Sequence, residues 1–294
     1  MMLLPQKERL ERGLWWDESL KLVEGCTPVG PGCRHCWSCR EAAMRIHNPA
    51  VAEQYKGLVT GSASDPRWTG RVRFLPRFLD KPFRKKRPTV YAVWNDLFHD
   101  AIDDAQIHTA LATMALNPRH QFIVLTKRPY RMRCVLSAAG VTALVMEKMR
   151  NICDAFPPRM RIDYNYTWPN FENVAFGTSI CIAEGAHTLA ARLADTPATV
   201  RVLSLEPLLE RVDPEQLYGP FHATFKTRSL FVIIGCESGA ARSRRYTDPE
   251  WVWEIVEYMS ERGVPVFVKQ LEERGSIVKA PFLHGRQWLQ WPTL

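Results

Sequence analysis

Short, almost wholly apolar runs recur along the chain after residue 88, and each hands over to polar or glycine residues. The clearest are Thr89 to Trp94, Gln121 to Leu125, Val174 to Phe176, Val200 to Leu205, Leu230 to Ile234 and Val264 to Val268. Runs of this length without polar alternation predict strands buried on both faces, as in parallel sheets. Between them lie segments long enough for crossover helices. Asp103 to Leu116 places Ile107, Leu111, Met114 and Ala115 near helical spacing, Ile182 to Leu193 reads similarly, and Pro249 to Arg262 has proline suited to its first turn and Gly263 to its end.

Repeated strand-then-helix units with short loops predict an α/β fold, a partial or full (β/α) barrel, because right-handed crossovers bring successive parallel strands round toward closure. In such folds the chemistry gathers at the C-terminal strand ends. Here those ends read Trp94-Asn95-Asp96, Thr126-Lys127-Arg128, Gly177-Thr178-Ser179, Ser204-Leu205-Glu206-Pro207, Gly235-Cys236-Glu237-Ser238-Gly239 and Lys269-Gln270. We read residues 1–294 as one domain with insertions near 51–87 and 151–173, where the periodicity lapses into glycine, proline, tyrosine and arginine.

Composition adds a direction to this frame. The 294 residues are 46% hydrophobic and 24% charged, which is ordinary for a globular protein. The net charge of +8 favours a polyanionic partner such as nucleic acid. Basic runs at Arg84-Lys85-Lys86-Arg87 and at Arg242, Arg244 and Arg245 could contact phosphates, or be solvated faces. Tyr164, Tyr166 and Trp168 near Arg159 and Arg161 could stack bases, or pack. No stretch approaches the roughly 18 apolar residues of a membrane span, and the N-terminus lacks a signal-peptide core, so a cytoplasmic protein without membrane contact is expected.

Four of the eight cysteines fall between positions 26 and 39, in Gly25-Cys26-Thr27-Pro28-Val29-Gly30-Pro31-Gly32-Cys33-Arg34-His35-Cys36-Trp37-Ser38-Cys39. Thiolates so closely spaced select iron-sulfur clusters or zinc. Zinc would want four ligands, with Cys39 or His35 as the fourth, but no second Cys-x2-Cys pair completes a ribbon or finger. A cluster held by Cys26, Cys33 and Cys36, with one iron open, fits if Cys39 turns inward on a following helix. Cys134, Cys153 and Cys181 read as ordinary core or surface thiols.

The motifs Thr27-Pro28-Val29, Pro31-Gly32-Cys33-Arg34-His35-Cys36, Leu125-Thr126-Lys127-Arg128-Pro129, Ser204-Leu205-Glu206-Pro207-Leu208-Leu209, Gly235-Cys236-Glu237-Ser238-Gly239 and Val268-Lys269-Gln270, in this order, resemble the phage Gp37/Gp68 family over most of the chain. That family is similar to radical S-adenosylmethionine enzymes, which usually carry Cys-x3-Cys-x2-Cys; here six residues separate the first two cysteines, as in the narrower family. The resemblance implies a barrel of the radical S-adenosylmethionine type, a [4Fe-4S] cluster on Cys26, Cys33 and Cys36, and S-adenosylmethionine bound at the open iron and cleaved to a 5′-deoxyadenosyl radical. It also implies an external electron donor such as a flavodoxin.

The remaining candidates divide accordingly. Asn95 and Asp96 sit where related enzymes contact the cofactor's amino group, although both also suit a helix cap. Thr126, Lys127 and Arg128 could hold the cofactor carboxylate or a substrate phosphate, or form a solvated turn before Pro129. Thr178 and Ser179 could bind the cofactor ribose; Ser204 and Glu206 could bind ribose or substrate. Glu237 joins the cofactor set. Glu206, Lys269 and Cys236 form the candidate catalytic set: Glu206 as a proton acceptor or as the ion-pair partner of Lys269 or Arg128, and Cys236 as a hydrogen donor to a substrate radical or a small buried core residue. His99 reads as a core or rim histidine.

Charge and the phage association together point to a base of modified phage DNA as substrate. The most specific expectation is isomerisation of N-linked to C-linked glycyl-thymine in thymidine hypermodification, a means of evading host restriction. A radical nucleobase-repair lyase is the alternative within enzymes, and a zinc-stabilised nucleic-acid-binding protein is the alternative outside them.

Overall fold

The computed structural model describes residues 2–62, 64–155, 172–223, 229–239 and 241–292. The chain opens with α1 (Lys7–Glu11), β1 (Glu18–Lys21), β2 (Val23–Glu24), α2 (Trp37–Arg45), α3 (Ala52–Tyr55), β3 (Val59–Ser62), β4 (Asp65–Trp68), β5 (Arg73–Phe74) and α4 (Lys81–Arg84). It then alternates through β6 (Val90–Trp94), α5 (Asp104–Ala115), β7 (Gln121–Thr126), α6 (Pro129–Leu136), α7 (Val141–Ala155), β8 (Val174–Ser179), α8 (Ala186–Ala194), β9 (Val200–Leu205), α9 (Pro214–Ala223), β10 (Leu230–Gly235), α10 (Pro249–Glu261), β11 (Val266–Glu273) and β12 (Ser276–Lys279).

Eight strands form one curled sheet, a half-barrel in the order β1-β6-β7-β8-β9-β10-β11-β12. All neighbours are parallel except β12, which folds back antiparallel on β11. The apolar runs form strands because both of their faces are covered. On β6, Tyr91 and Val93 join the core under the helices, while Val90 and Ala92 join a second core inside the curl with Ile123, Ala175, Val202, Ile233 and Phe267. Burying each of the valine, isoleucine and phenylalanine side chains stabilises the fold by about 1.5–3 kcal/mol, so two-sided burial outweighs weak local propensity.

The chain ends fill the inside of the curl. Met2, Leu10 and Trp15 enter the inner core, and Trp291 meets Phe231 at 5.0 Å between ring centroids. Asp17 fastens the N-terminal segment: its carboxylate accepts from the amides of Gln6 and Val90, each at 2.8 Å, and its own amide donates to the Val90 carbonyl. Gly13 has φ +63°, and a Cβ there would lie 2.3 Å from the Lys269 carbonyl, so only glycine lets this segment approach β11.

Residues 51–87 build one small antiparallel pair, β3 with β4, and supply β5, which pairs antiparallel with β2, beside short helical turns. Trp68 of β4 packs with Ala42, Tyr55 and Leu58, which ties this region to α2. Residues 156–171, including Tyr164, Tyr166, Trp168, Arg159 and Arg161, lie outside the described residues. No helix among the described residues is long and apolar enough to cross a membrane.

Candidate functional site

At the C-terminal ends of the strands the half-barrel opens into a cavity of about 440 Å³. The cysteine loop forms one wall. Pro31–Cys33 makes a single 3-10 turn, and Cys36 is the residue from which α2 starts. Cys26, Cys33 and Cys36 all line the cavity. Cys39 lies on α2 away from it, 3% exposed, with its thiol pushed up to about 12 by burial and by Cys36 and Cys26 nearby. Three thiols therefore face the space and the fourth turns into the core. Burial, with Asp96 nearby and Arg128 opposing, pushes the Cys26 thiol up to about 11.

Charged residues at the strand ends hold this loop in place. Arg128 donates to the carbonyl and hydroxyl of Thr27 at 3.1 and 2.6 Å and to Asp96 at 2.6 Å. Asp96 also accepts from Thr126 at 2.6 Å. His99, 4% exposed, accepts the Ala101 amide at Nδ1, so its neutral ring carries the proton at Nε2 and donates to the Thr27 hydroxyl at 2.9 Å. Burial and the cationic Arg128 push that histidine below its ordinary range, consistent with this tautomer. Glu237 accepts from His35 at 2.8 Å and from the amide of Arg245 at 3.0 Å; the Arg245 guanidinium also pairs with Glu237 at 2.5 Å and reaches the Pro31 carbonyl at 2.9 Å. Burial works to raise the Glu237 carboxyl, but these partners bring it below the usual range.

Lys127 stands apart from this frame. It points toward the cysteines, where burial opposes its charge while Cys181, Cys33, Cys36 and Asp96 around it favour the ammonium. Across the cavity Glu206 accepts from Lys269 at 2.5 Å, from the Trp15 indole at 3.2 Å and from Ser204 at 3.4 Å. Gln270 donates to the Cys236 carbonyl and the Ser238 hydroxyl, and its own carbonyl takes a hydrogen bond from Lys279.

Of the residues singled out in the sequence, Asn95, Asp96, Thr126, Lys127, Ser179, Ser204, Glu206, Cys236, Glu237 and Lys269 line the same cavity as the three cysteines. Thr178 does not. It points to the opposite face of β8, fully buried, and donates to the Thr126 carbonyl at 3.1 Å, because successive strand residues alternate faces. Asn95 is bound into the fold, donating to Val23 and Glu24 and accepting from Ser38. It caps no helix: the next helix, α5, is capped by Asp103, which forms a reciprocal box with Gln106.

Of the two basic clusters, the one at 242–245 is drawn into the fold, while in the other Arg84, Lys86 and Arg87 stay exposed. Arg244, with its side chain 2% exposed, pairs with Glu272 at 2.5 Å and donates to the carbonyls of Gly239 and Gly275. Together with the Arg245 bonds this leaves only Arg242 of that trio exposed. In the run 84–87, Arg84 pairs with Asp80 and Lys85 with Glu18.

Sequence reading missed Cys181. It is buried, as a core thiol would be, but its sulfur also sits against the cysteine loop, 2.3 Å from where a Gly32 Cβ would be. It lies about 150 residues from the loop and nothing local in sequence announces the contact. Trp15, Trp16, Trp37, Trp68 and Trp94 also line the cavity and were not singled out as a group. Among the described residues no three His, Cys, Asp or Glu side chains converge closely enough to hold a single metal ion.

Residues 12–292 match the family model described as a protein of unknown function, DUF5131, and the chain belongs to that family. No curated protein and no solved structure matches it.

Proposed function

We propose that the protein is a radical S-adenosylmethionine enzyme that acts on a base of DNA. The observation that carries this reading is the division of the cysteine loop: three thiols on one cavity wall, at the C-terminal rim of a curled parallel sheet, with Cys39 turned away. Soft sulfur donors suit an iron-sulfur cluster. Three rather than four cavity-facing donors from the loop leave one iron for a small-molecule ligand, and Lys127 sets a positive charge beside what would be an anionic cluster.

In this reading Cys26, Cys33 and Cys36 hold a [4Fe-4S] cluster, and Ser179 and Ser204 offer polar groups to the amino-acid and ribose parts of S-adenosylmethionine, beside the Asn95-Asp96 turn, whose side chains are engaged in holding the wall. When bound, the reduced cluster and S-adenosylmethionine supply one electron and a 5′-deoxyadenosyl group able to abstract hydrogen. The chain's share is to fix that chemistry in a walled space and to exclude competing reactions. Arg128, Arg245, His35 and Glu237 hold the loop; Glu206 and Lys269 place a carboxylate and an ammonium opposite it, able to orient a substrate or move a proton; Cys236, 3% exposed on the cavity wall, can donate a hydrogen atom to a substrate radical.

The net charge of +8 supports a nucleic-acid substrate. The sequence resemblance supports the most specific form of the proposal, migration of the glycyl attachment on thymine from nitrogen to carbon, with electrons from a flavodoxin-like donor. Anaerobic purification, iron and sulfide analysis, then dithionite and S-adenosylmethionine with chromatography for 5′-deoxyadenosine test the class. The expected result is about four irons and product formation, both lost on replacing Cys26, Cys33 or Cys36 by alanine and kept on replacing Cys39. One zinc and no iron would overturn it. Nucleoside mass spectrometry on glycyl-thymine DNA tests the substrate, which is wrong if the cofactor is consumed and that nucleoside is unchanged.

A further inference from the structure

Five of the chain's ten tryptophans line this one cavity. Packing accounts for some of them. Trp15 is 6% exposed in the inner core and bonds Glu206, and Trp68 packs against α2 and α3. Packing does not account for Trp37. It opens α2 directly after Cys36 and is 44% exposed, yet its ring is held edge-on against Trp94 at 4.6 Å between centroids and 68°. Both rings line the cavity, and the outward position of Trp37 marks its entrance, whereas Ser204, 2% exposed, lies in its depth.

A pair of indoles at a cavity entrance offers flat π surface to a ligand. A cationic ligand is disfavoured: Lys21 already sits 4.6 Å from the Trp94 ring and Lys269 5.4 Å from Trp16, and the chain carries +8 overall. A flat, uncharged ring attached to an anionic backbone satisfies both the indoles and the field. A nucleobase has this form, and stacking on an aromatic side chain is tolerant of which base it is. Inside a duplex a base cannot reach such a cavity, so it must first be turned out of the helix.

We propose that Trp37, backed by Trp94, is the stacking platform that receives a base turned out of DNA at the cavity entrance. The inference rests on the reading above for its polymer, DNA. Binding to the full chain tests it by fluorescence anisotropy with a short labelled duplex carrying one mismatched thymine and the same duplex with an abasic site there. The protein should bind the thymine duplex roughly tenfold more tightly than the abasic one. Trp37→Ala should bind both at the abasic level, and Trp37→Phe should recover most of the difference. Equal binding of the two duplexes by the unaltered protein, or full discrimination by Trp37→Ala, overturns the proposal. So does a Trp37→Ala protein that discriminates normally but binds S-adenosylmethionine more weakly, since the ring on this face would then be the cofactor's adenine. Iron content and 5′-deoxyadenosine test the radical reading separately, so either can fail while the other stands.

Discussion

The wall that carries the cysteines and the wall across from it both contain ion pairs, but they use them differently. On the cysteine side the charged groups are bonded to one another and to the loop backbone: Arg128 to Asp96 and Thr27, Arg245 to Glu237 and Pro31, Arg40 to the carbonyls of His35 and Ser238. Across the cavity, Glu206 and Lys269 pair beside Trp15 and Trp16, and among the described residues Lys279 bonds Gln270. The first wall is a frame for three thiols. The second presents groups to whatever enters. Strand-end residues that look alike in sequence therefore serve two purposes, and substitution separates them.

Arg128→Ala should have the largest effect. Arg128 and Asp96 both have side chains only 9% exposed, so removing the arginine leaves a carboxylate with little solvent and no cation, held only by the neutral donors Thr126 and the Phe98 amide. The expected loss is about 3–5 kcal/mol in chemical denaturation. Arg128→Lys should recover only part, since a single ammonium cannot bond Asp96 and Thr27 in the same forked geometry. If Lys269→Ala, which leaves Glu206 its bonds to Trp15 and Ser204, costs as much, the contrast between the walls is broken.

Acid should loosen the cysteine wall in particular. Glu237 is held below the ordinary carboxylate range in the folded protein, so its contribution is fully present above its unfolded pKa and is lost as pH falls through the folded value. His99, also depressed, acts in the same direction as it becomes protonated. The melting temperature should therefore begin to fall as pH drops below about 6.5, the ordinary histidine value, and fall more steeply below about 4.3, the ordinary glutamate value. Glu237→Gln should start lower at neutral pH and fall less steeply. A slope equal to that of the unaltered protein would mean that Glu237 is not what acid releases.

Gly32→Ala probes the tightest contact of the loop. The added Cβ would lie 2.3 Å from the Cys181 sulfur and 3.1 Å from its Cβ, and an overpacked contact of this kind costs about 1–3 kcal/mol. Cys181→Ala alone should be milder, and the double variant should recover most of the loss. Additive losses would show that Gly32 is needed for another reason, because coupling is the signature of direct contact.

The curl of the sheet was legible in sequence because each inner strand is an apolar run bounded by polar residues. β1 and β12 were not, since Glu18-Ser19-Leu20-Lys21 and Ser276-Ile277-Val278-Lys279 lie at the sheet's edges and carry one and two apolar residues. The same two-sided burial that made β8 visible hid which of its residues face the cavity. Without alternating polarity, Thr178 and Ser179 looked equivalent. Arg244 looked like a phosphate contact because two of its partners, Glu272 and the Gly275 carbonyl, come from a hairpin that sequence alone does not fold back onto it. The three cysteines needed no such long-range information, as their loop is contiguous. Cys181, by contrast, meets that loop only through the closing of the sheet.

The smallest effect should come from Lys279→Ala, and its smallness is informative. Lys279 has no carboxylate partner among the described residues, and it is exposed at the end of β12. Although the residue as a whole is exposed, its ammonium is partly desolvated where it faces the cavity, and this, with the ammonium of Lys269 nearby, depresses its pKa, so the folded protein holds its charge at a disadvantage. Removing it ends one hydrogen bond to an amide and relieves that repulsion, two terms of opposite sign, and stability should change by no more than about 0.5 kcal/mol. A loss well above that in denaturant titration would show that Lys279 braces the β11-β12 hairpin, and the second wall would then be a frame as well. A neutral result leaves Lys279 as a cation facing the cavity without a structural duty, the condition for a group whose partner is a ligand.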